Sequence, residues 1–188
     1  MHPTLVDRFN RLTRHRQEHI ERVVAVMEKL ADVHRLDREA AQLAGYGHDL
    51  ARELARPELL AEAERLGLSY GPEERAEPIL LHGPVAARWL KDLSLGNPDV
   101  WQAIQYHTTA APGLSPLAKA LFVADGVEPG RRYDGRDALE RLAYDNLEQA
   151  YAAVLLSTVQ YLEARHLPRH PLTQGALAEL NGTAYAPE

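Results

Sequence analysis

The residues of this chain that could carry out chemistry are histidines and aspartates at the ends, or on the apolar faces, of helix-like segments. His48 and Asp49 are adjacent in the stretch AGYGHDLAR, where a helix-like run over residues 37–47 ends. Neighbouring residues on a helix point about 100° apart, so the two side chains share a site only if an ion lies between them or the backbone bends. The dipeptide therefore indicates a helix cap, a surface turn or part of a metal site.

Further residues of the same two types are expected to point towards the core. His107 lies three residues after Ile104, and Asp125 lies four residues after Leu121, which is the spacing of one helix face. A buried carboxylate without a partner is costly, so Asp125 requires a cation or several hydrogen-bond donors, and an arginine such as Arg131 is the simpler partner. Two more histidines adjoin apolar residues, namely His19 and His82.

The joint pattern of these residues predicts that several helices converge on one point, although any one of them alone is more often a hydrogen-bonded or surface side chain. The chain has no cysteine, so a metal would have to be held by His, Asp and Glu. Nitrogen and carboxylate ligands without thiolates fit divalent Fe, Mn, Mg or Zn. Such an ion lowers the pKa of a bound water and polarises a phosphoryl oxygen, so the pattern favours hydrolysis of a phosphate ester.

The composition limits the classes of protein to which the chain can belong. It has 188 residues, 45% of them hydrophobic, and a formal net charge of −6 at pH 7. Binding to DNA or RNA polymers is disfavoured, because a basic surface supplies most of that affinity. Residues 1–16 lack an apolar signal core, and no apolar run approaches the ~18 residues of a membrane span. We therefore expect a cytoplasmic protein that binds no membrane.

Helical periodicity runs through nearly all of the chain, and no segment has the alternating pattern of a strand. Apolar side chains within residues 19–34 recur at the spacing of one helix face. Asp37, Asn97 and Ser115 are expected to cap helices, and the last two are followed by proline at the first helical position. These patterns predict an all-α protein.

The same reading gives the predicted organisation of the chain. A long helix is predicted over roughly residues 137–165, and Thr173 is expected to cap a short last helix. We expect one domain over residues 1–188 with about eight to ten helices. Residues 1–14 would form an N-terminal helix, and residues 168–188 a C-terminal loop and short helix.

The order H…HD…H…H…D resembles that of the HD-domain metal-dependent phosphohydrolase superfamily. Longer stretches are similar to the YqeK family of bacterial HD proteins: RQEHIERVV, AGYGHDLAR, LLHGPVAA, AIQYHTTAAPGLSPLAKALFVADGVEPGRR and HPLT. The resemblance covers roughly residues 14–181, and its HT and ADxxEPxR blocks are more specific than the HD dipeptide. It implies an HD-domain helical bundle that hydrolyses diadenosine tetraphosphate symmetrically to two ADP.

The resemblance also implies roles for individual residues. The metal ligands would be His19, His48, Asp49 and Asp125, with iron as the expected ion and Mn, Mg or Zn as other possibilities. The catalytic groups, which neutralise charge on the phosphate or protonate the leaving oxygen, would be His82, His107 and Arg131. These three would also bind the substrate, together with Arg52, Thr108, His170, Pro171, Leu172 and Thr173, and the last four belong to a C-terminal segment that closes on the nucleotide.

The sequence departs from the family pattern at two glycines. Gly47 precedes His48 where the family has a bulky apolar residue, and we expect it to loosen the helix end. Gly126 follows Asp125 where the family tends to have an aromatic or β-branched residue. Base recognition has no motif of its own, and the aromatic side chains that could stack on adenine are Tyr106 and Tyr133.

Other functions are compatible with the same residues. An HD-domain nucleotidase would act on nucleoside monophosphates or another small phosphate ester and release phosphate. A nucleotide-binding module would bind without turnover, and a purely structural helical protein would leave the inward Asp125 unexplained. The expected partner is a small nucleotide, and a homodimer is possible if Trp89 or Trp101 lies on an exposed face.

Overall fold

The computed structural model describes residues 2–182, so Met1 and residues 183–188 of the predicted domain lie outside the described part. Within it the chain forms eleven α-helices and one 3-10 helix, without strands. The helices are Pro3–Asn10 (α1), Arg14–His34 (α2), Arg38–Gly47 (α3), Arg56–Arg65 (α4), Pro72–Ala76 (α5), His82–Asp92 (α6), Pro98–Tyr106 (α7), Pro116–Val127 (α8), Arg136–Asp145 (α9), Leu147–Ala164 (α10) and Pro171–Leu180 (α11), with the 3-10 helix at Pro78–Leu81. The predicted all-α class is confirmed.

Side-chain caps define where several helices begin. The predicted caps Asp37, Asn97 and Ser115 each accept a hydrogen bond from the backbone N–H three residues later. Such a bond satisfies one of the donors that a helix start leaves without a partner. Proline occupies the first turn of α7 and α8, where its missing N–H costs nothing.

Two predicted elements in the C-terminal third are wrong. The helix predicted over residues 137–165 is interrupted at Asn146, whose extended backbone ends α9 and whose side chain caps α10. This break brings the count to eleven α-helices instead of eight to ten. The cap of the last helix is His170, which accepts from Leu172 N, whereas Thr173 lies inside the first turn of α11. Thr173 instead bonds a distant loop, a tertiary contact that local sequence does not show.

The core is one cluster of buried apolar side chains that extends from Leu5 in α1 to Ala176 in α11. The long helix α2 packs on α3 and α8, while α7 packs on α3, α6 and α8. Five of these helices therefore surround a common interior, and the ends of α3 and α7 meet inside it. Burial of this apolar surface is the main favourable term in folding.

Two glycines that depart from the family pattern allow close packing of helices. A Cβ added at Gly47 would lie 2.6 Å from Ile104 Cδ1, and a Cβ at Gly126 would lie 2.8 Å from Val154 Cγ1. Any larger side chain there would force the Ile104 side chain of α7, or the Val154 side chain of α10, to move. The expectation that Gly47 loosens the end of α3 is wrong, because the helix includes Gly47 and His48 keeps helical backbone angles.

The proposed dimer contacts differ in exposure. Trp89 is only 6% exposed and donates from Nε1 to Glu62 Oε1 at 2.6 Å, so it cannot serve as an exposed contact. Trp101 is partly buried and donates to Leu95 O.

Among residues 2–182, no helix is long and apolar enough to cross a membrane.

Candidate metal centre

Three of the predicted histidines directly follow the end of a helix. His48 follows α3, His82 the 3-10 helix and His107 α7, and each Nδ1–H donates to the backbone carbonyl three residues earlier. The bond is 2.7 Å long for both His48 and His107. For His48 and His107, the imidazole takes one of the carbonyls that a helix end leaves without an intrahelical partner. The Ile79 carbonyl also accepts from His82 N, so it has two donors. With Nδ1 fixed as the donor, Nε2 carries the lone pair.

His19 on α2 is held in the same way by a carboxylate. Its Nδ1 lies 3.2 Å from Oε1 of Glu128, which is buried and follows the end of α8. Glu128 in turn accepts from Arg22 Nε and from Gly130 N, both at 2.5 Å. Sequence reasoning missed Glu128 as a site residue because it lies beyond the helical period of α8. A second partner that orients a metal-ligating histidine is a common feature of metal sites.

The four Nε2 atoms point at one another in pairs. His19 Nε2 and His48 Nε2 are 3.3 Å apart, and His82 Nε2 and His107 Nε2 are 2.9 Å apart. Facing lone pairs repel unless a positive charge lies between them. The arrangement therefore fits a bound cation, and nitrogen with carboxylate oxygen suits a divalent transition metal.

Asp49 lies between the two imidazole pairs. Its Oδ2 is 3.5 Å from Nε2 of both His19 and His48, while its Oδ1 is 3.2 Å from His82 Nε2 and 3.6 Å from His107 Nε2. One carboxylate thus faces all four histidines, with one oxygen for each pair. The adjacent residues His48 and Asp49 serve one site because the backbone turns at the end of α3.

Asp125 completes the cluster and also has the simpler partner that the sequence offered. Its Oδ1 lies 3.3 Å from His19 Nε2 and accepts from Arg131 Nη2, while Arg131 Nε donates to the Asp125 carbonyl at 2.9 Å. Arg16 makes a similar contact, with Nη1 2.5 Å from Asp49 Oδ2. Asp49 and Asp125 therefore each pair with one guanidinium group. Both carboxylates also face the imidazole of His19.

Burial and the nearby carboxylates act in opposite directions on the pKa values of the four histidines. Burial lowers the pKa of His48 to about 4 and also lowers that of His82. Burial would lower the pKa of His19 and His107 as well, but nearby carboxylates outweigh it and raise both. Each facing pair therefore joins one imidazole with a lowered pKa to one with a raised pKa.

The carboxylates remain ionised despite their burial. Burial alone would raise the pKa of Asp49, yet His48 and the hydrogen bonds with His107 and His82 hold it well below its usual value. The pKa of Asp125 is lowered as well, because contact with His19 and the charge of Arg131 outweigh burial. At neutral pH the site thus offers two carboxylates and at least two neutral imidazoles to a cation.

The predicted substrate contacts fall into two groups. Thr108 is exposed, and its Oγ1 is 3.4 Å from His82 Nε2 and 3.2 Å from His107 Nε2, so it borders the cluster. Arg52 is in the same turn as Asp49, whose carbonyl accepts from Arg52 N at 3.0 Å. Thr108 therefore lies beside the histidines and Arg131 beside Asp125, whereas Arg52 is joined to the site through its backbone.

The C-terminal segment touches the cluster only through a loop. His170 Nε2 is 2.9 Å from Glu74 Oε1, and Thr173 Oγ1 donates to Thr109 O at 2.7 Å. A cavity of about 610 Å³ between α6, α7 and this segment is lined by His170, Leu172 and Tyr106, but not by the four histidines. Tyr133, the other predicted base contact, is exposed and donates to Gly126 O.

Comparison with known proteins gives the family. The HD domain family model matches residues 16–130, a span that includes all four histidines and both aspartates. The symmetrical bis(5'-nucleosyl)-tetraphosphatase of Halalkalibacterium halodurans is 32% identical over 175 residues, which cover 90% of each chain. The enzyme of the same name from Bacillus subtilis is 31% identical over 168 residues, or 86% of this chain and 87% of that one.

The fold leads to the same conclusion. The structure of a Clostridium acetobutylicum protein described as a predicted HD superfamily hydrolase involved in NAD metabolism superposes with a TM-score of 0.89 and 29% identity. The match covers 95% of this chain and 96% of that one. The helix ends that carry the histidines lie within the matched family span, and the chain therefore belongs to the HD domain family.

Proposed function

We propose that this protein hydrolyses diadenosine tetraphosphate symmetrically and releases two ADP. The observation that carries the proposal is the convergence of four Nε2 atoms and two carboxylates in a chain that is similar, over most of its length, to symmetrical tetraphosphatases. Fold alone does not determine function, but a site with matching chemistry within the matched span does support it.

The metal would be held by His19, His48, Asp49 and Asp125. When bound, it supplies a water of lowered pKa and a Lewis acid for a phosphoryl oxygen. Iron is the ion we propose, because the resemblance to the YqeK family implies it, and mixed imidazole and carboxylate ligation is compatible with iron as well as with manganese, magnesium and zinc. The two oxygens of Asp49 face different imidazole pairs, an arrangement that accommodates one or two ions.

The chain's own side chains bind the polyphosphate and handle its charge and protons. Arg131 neutralises phosphate charge, and the exposed Thr108 hydroxyl donates to a phosphoryl oxygen beside the histidines. The water oxygen bonds to one of the two inner phosphorus atoms. The bond between that phosphorus and the central bridging oxygen breaks. His82 or His107 gives a proton to that leaving oxygen and takes up the proton that the attacking water releases, so that both products are ADP.

The direct test combines metal analysis with product analysis. Protein purified without oxygen would be analysed for metals and then incubated with diadenosine tetraphosphate, and its products separated by ion exchange. We expect about one to two ions per chain and ADP as the sole product. Release of phosphate from nucleoside monophosphates without ADP formation would favour the nucleotidase. A loaded site without turnover of either substrate would leave a nucleotide-binding module.

A further inference from the structure

Arg16 lies beside the metal centre, although the sequence analysis gave it no role within the stretch RQEHIERVV. It is in the first turn of α2, one helical turn before His19, and its side chain is 21% exposed. Its Nη1 lies 2.5 Å from Asp49 Oδ2, the oxygen that also faces His19 Nε2 at 3.5 Å. The guanidinium group is therefore next to the position where an ion would bind.

A second nitrogen of the same guanidinium group, Nε, lacks a hydrogen-bond acceptor. Arg16 Nε is buried, and it has no hydrogen-bond partner within residues 2–182. A buried donor without an acceptor is unfavourable by about 1–3 kcal/mol, so such a group is uncommon unless something else binds there. A ligand with several acceptor oxygens beside the metal centre would satisfy it once the partly exposed side chain turns and uncovers Nε.

Arg16 has a counterpart on the opposite carboxylate. Asp125 Oδ1 faces His19 Nε2 at 3.3 Å and also accepts from Arg131 Nη2. The two carboxylate oxygens that flank one imidazole nitrogen thus each carry a guanidinium group. Arg131 is already a proposed phosphate contact, and the matching position of Arg16 indicates the same chemistry from the other side.

We propose that Arg16 binds a phosphoryl oxygen of the substrate, so that the polyphosphate lies between Arg16 and Arg131. This inference rests on the proposed function and names a second cationic contact for the same site. A planar guanidinium group donates along two parallel directions, which matches the oxygens of phosphate. Asp49 would keep one donor of Arg16 in place while Nε turns from an unpaired donor into a phosphate contact.

The competing explanation is that Arg16 only orients Asp49. In that case its loss would weaken metal retention, while the protein that still holds metal would bind nucleotide as before. A phosphate contact would have the opposite effect, namely retained metal with weakened nucleotide binding. Metal content and nucleotide affinity, measured on the same samples, therefore distinguish the two roles.

The experiment uses the full chain loaded with metal, and ADP as the probe. Isothermal titration calorimetry would compare Arg16→Gln and Arg16→Lys with the unaltered protein, and metal content would be measured on each sample. Arg14→Gln is the matched control, because Arg14 is in the same turn but is 78% exposed and pairs with Glu18. Circular dichroism would establish that each variant is folded.

We expect Arg16→Gln to weaken ADP binding about tenfold at unchanged metal content, which is the effect of losing one charge-assisted contact. Arg16→Lys should recover part of that loss, since it keeps the charge without the planar fork. Arg14→Gln should bind ADP within about twofold of the unaltered protein. If Arg16→Gln fails to fold, weaker ADP binding by Arg16→Lys supports the inference, and affinity within about twofold overturns it.

The outcomes for Arg16 and for the proposed function are separate. Unchanged ADP affinity of Arg16→Gln overturns the inference, whether or not metal is lost, even if the protein cleaves diadenosine tetraphosphate to ADP. Weakened ADP affinity in a protein without that activity supports the phosphate contact and rejects the proposed reaction.

Discussion

At the scale of single residues, Asp49 is the group on which the most contacts converge. Its two oxygens face all four histidines and Arg16, so no neighbouring carboxylate can replace it. We expect Asp49→Ala to lose bound metal and to lower the rate of diadenosine tetraphosphate cleavage by more than about a hundredfold, because even the outer partners of metal ligands contribute ten- to a hundredfold. Elemental analysis and product formation measure both effects.

The control for this substitution is Asp134→Ala, which removes an exposed carboxylate from the segment between α8 and α9. It should keep metal and activity. An Asp49→Ala protein that stays active with a full complement of metal would remove Asp49 from the proposed ligand set.

We expect the role of Glu128 to be indirect, because it contacts His19, which is a proposed metal ligand. With Arg22 and Gly130 N as its own donors, it fixes the ring through Nδ1 and leaves Nε2 directed at the cluster. We expect Glu128→Gln to weaken metal binding by about ten- to a hundredfold, measured by competition with a chelator. Rates at saturating metal should recover most of the difference.

Glu21→Gln serves as the comparison, since Glu21 is an exposed residue on the same helix. Equal metal affinity in the two variants would show that Glu128 does not position His19.

How far the sequence predicts the site depends on the residue. Histidine and aspartate identities are visible in the sequence, and apolar spacing predicted inward positions for His107 and Asp125. Glu128 was missed because it lies beyond the end of α8, and Arg16 because an arginine in the first turn of a helix is usually exposed to solvent. The roles of both depend on contacts across more than thirty positions of the chain. Such pairs become visible only once the helices are packed.

At the scale of elements, α4 is tied to α6 by a charged contact away from the metal centre. Glu62 accepts from Arg65 and from Trp89 Nε1, and these hydrogen bonds lower its pKa to about 2 despite partial burial. A carboxyl whose folded pKa is lowered stabilises the fold above its unfolded pKa, and this stabilisation is lost as the pH falls through the folded value. For Glu62 the loss occurs between about pH 4.5 and pH 2.

Glu62→Gln should therefore be less stable than the unaltered protein near neutral pH, and the difference should shrink as the pH falls below about 4.5. Thermal midpoints of the two proteins at a series of pH values test this, because the effects of other carboxylates cancel in the difference. A difference that stays constant from about pH 6 to pH 3 would contradict it.

Helix starts were largely predictable, because a cap and a following proline are local features. The break at Asn146 was not, since apolar periodicity continues across it and only the extended backbone of one residue separates α9 from α10. The close approach at Gly126 was also hidden, because it depends on Val154 in another helix.

At the scale of the whole molecule, α11 connects the C-terminal end to the loop that follows the metal centre. Thr173 Oγ1 donates to Thr109 O at 2.7 Å, and Gly113 N donates to the carboxylate of Glu179 at 3.1 Å. Thr108, which borders His82 and His107, is part of this loop. The C-terminal segment thus acts on the site by fixing a loop rather than by touching the histidines.

This contact predicts the effect of Thr173→Val, a change of similar shape that removes the hydroxyl. It leaves the Thr109 carbonyl without its partner, so we expect a loss of stability of about 1–2 kcal/mol. The KM for diadenosine tetraphosphate should rise severalfold with little change in metal content, because the loop carrying Thr108 becomes less ordered. Hydrogen exchange should be faster over residues 108–113.

Thr158→Val is the matched control, since the Thr158 hydroxyl donates only to Val154 O within its own helix. It should leave the KM and the exchange rates of residues 108–113 unchanged. If both variants lose stability equally and neither alters the KM, α11 stabilises the fold without ordering the loop that carries Thr108. If only Thr173→Val alters the KM, α11 orders that loop and so positions Thr108 to contact the phosphate.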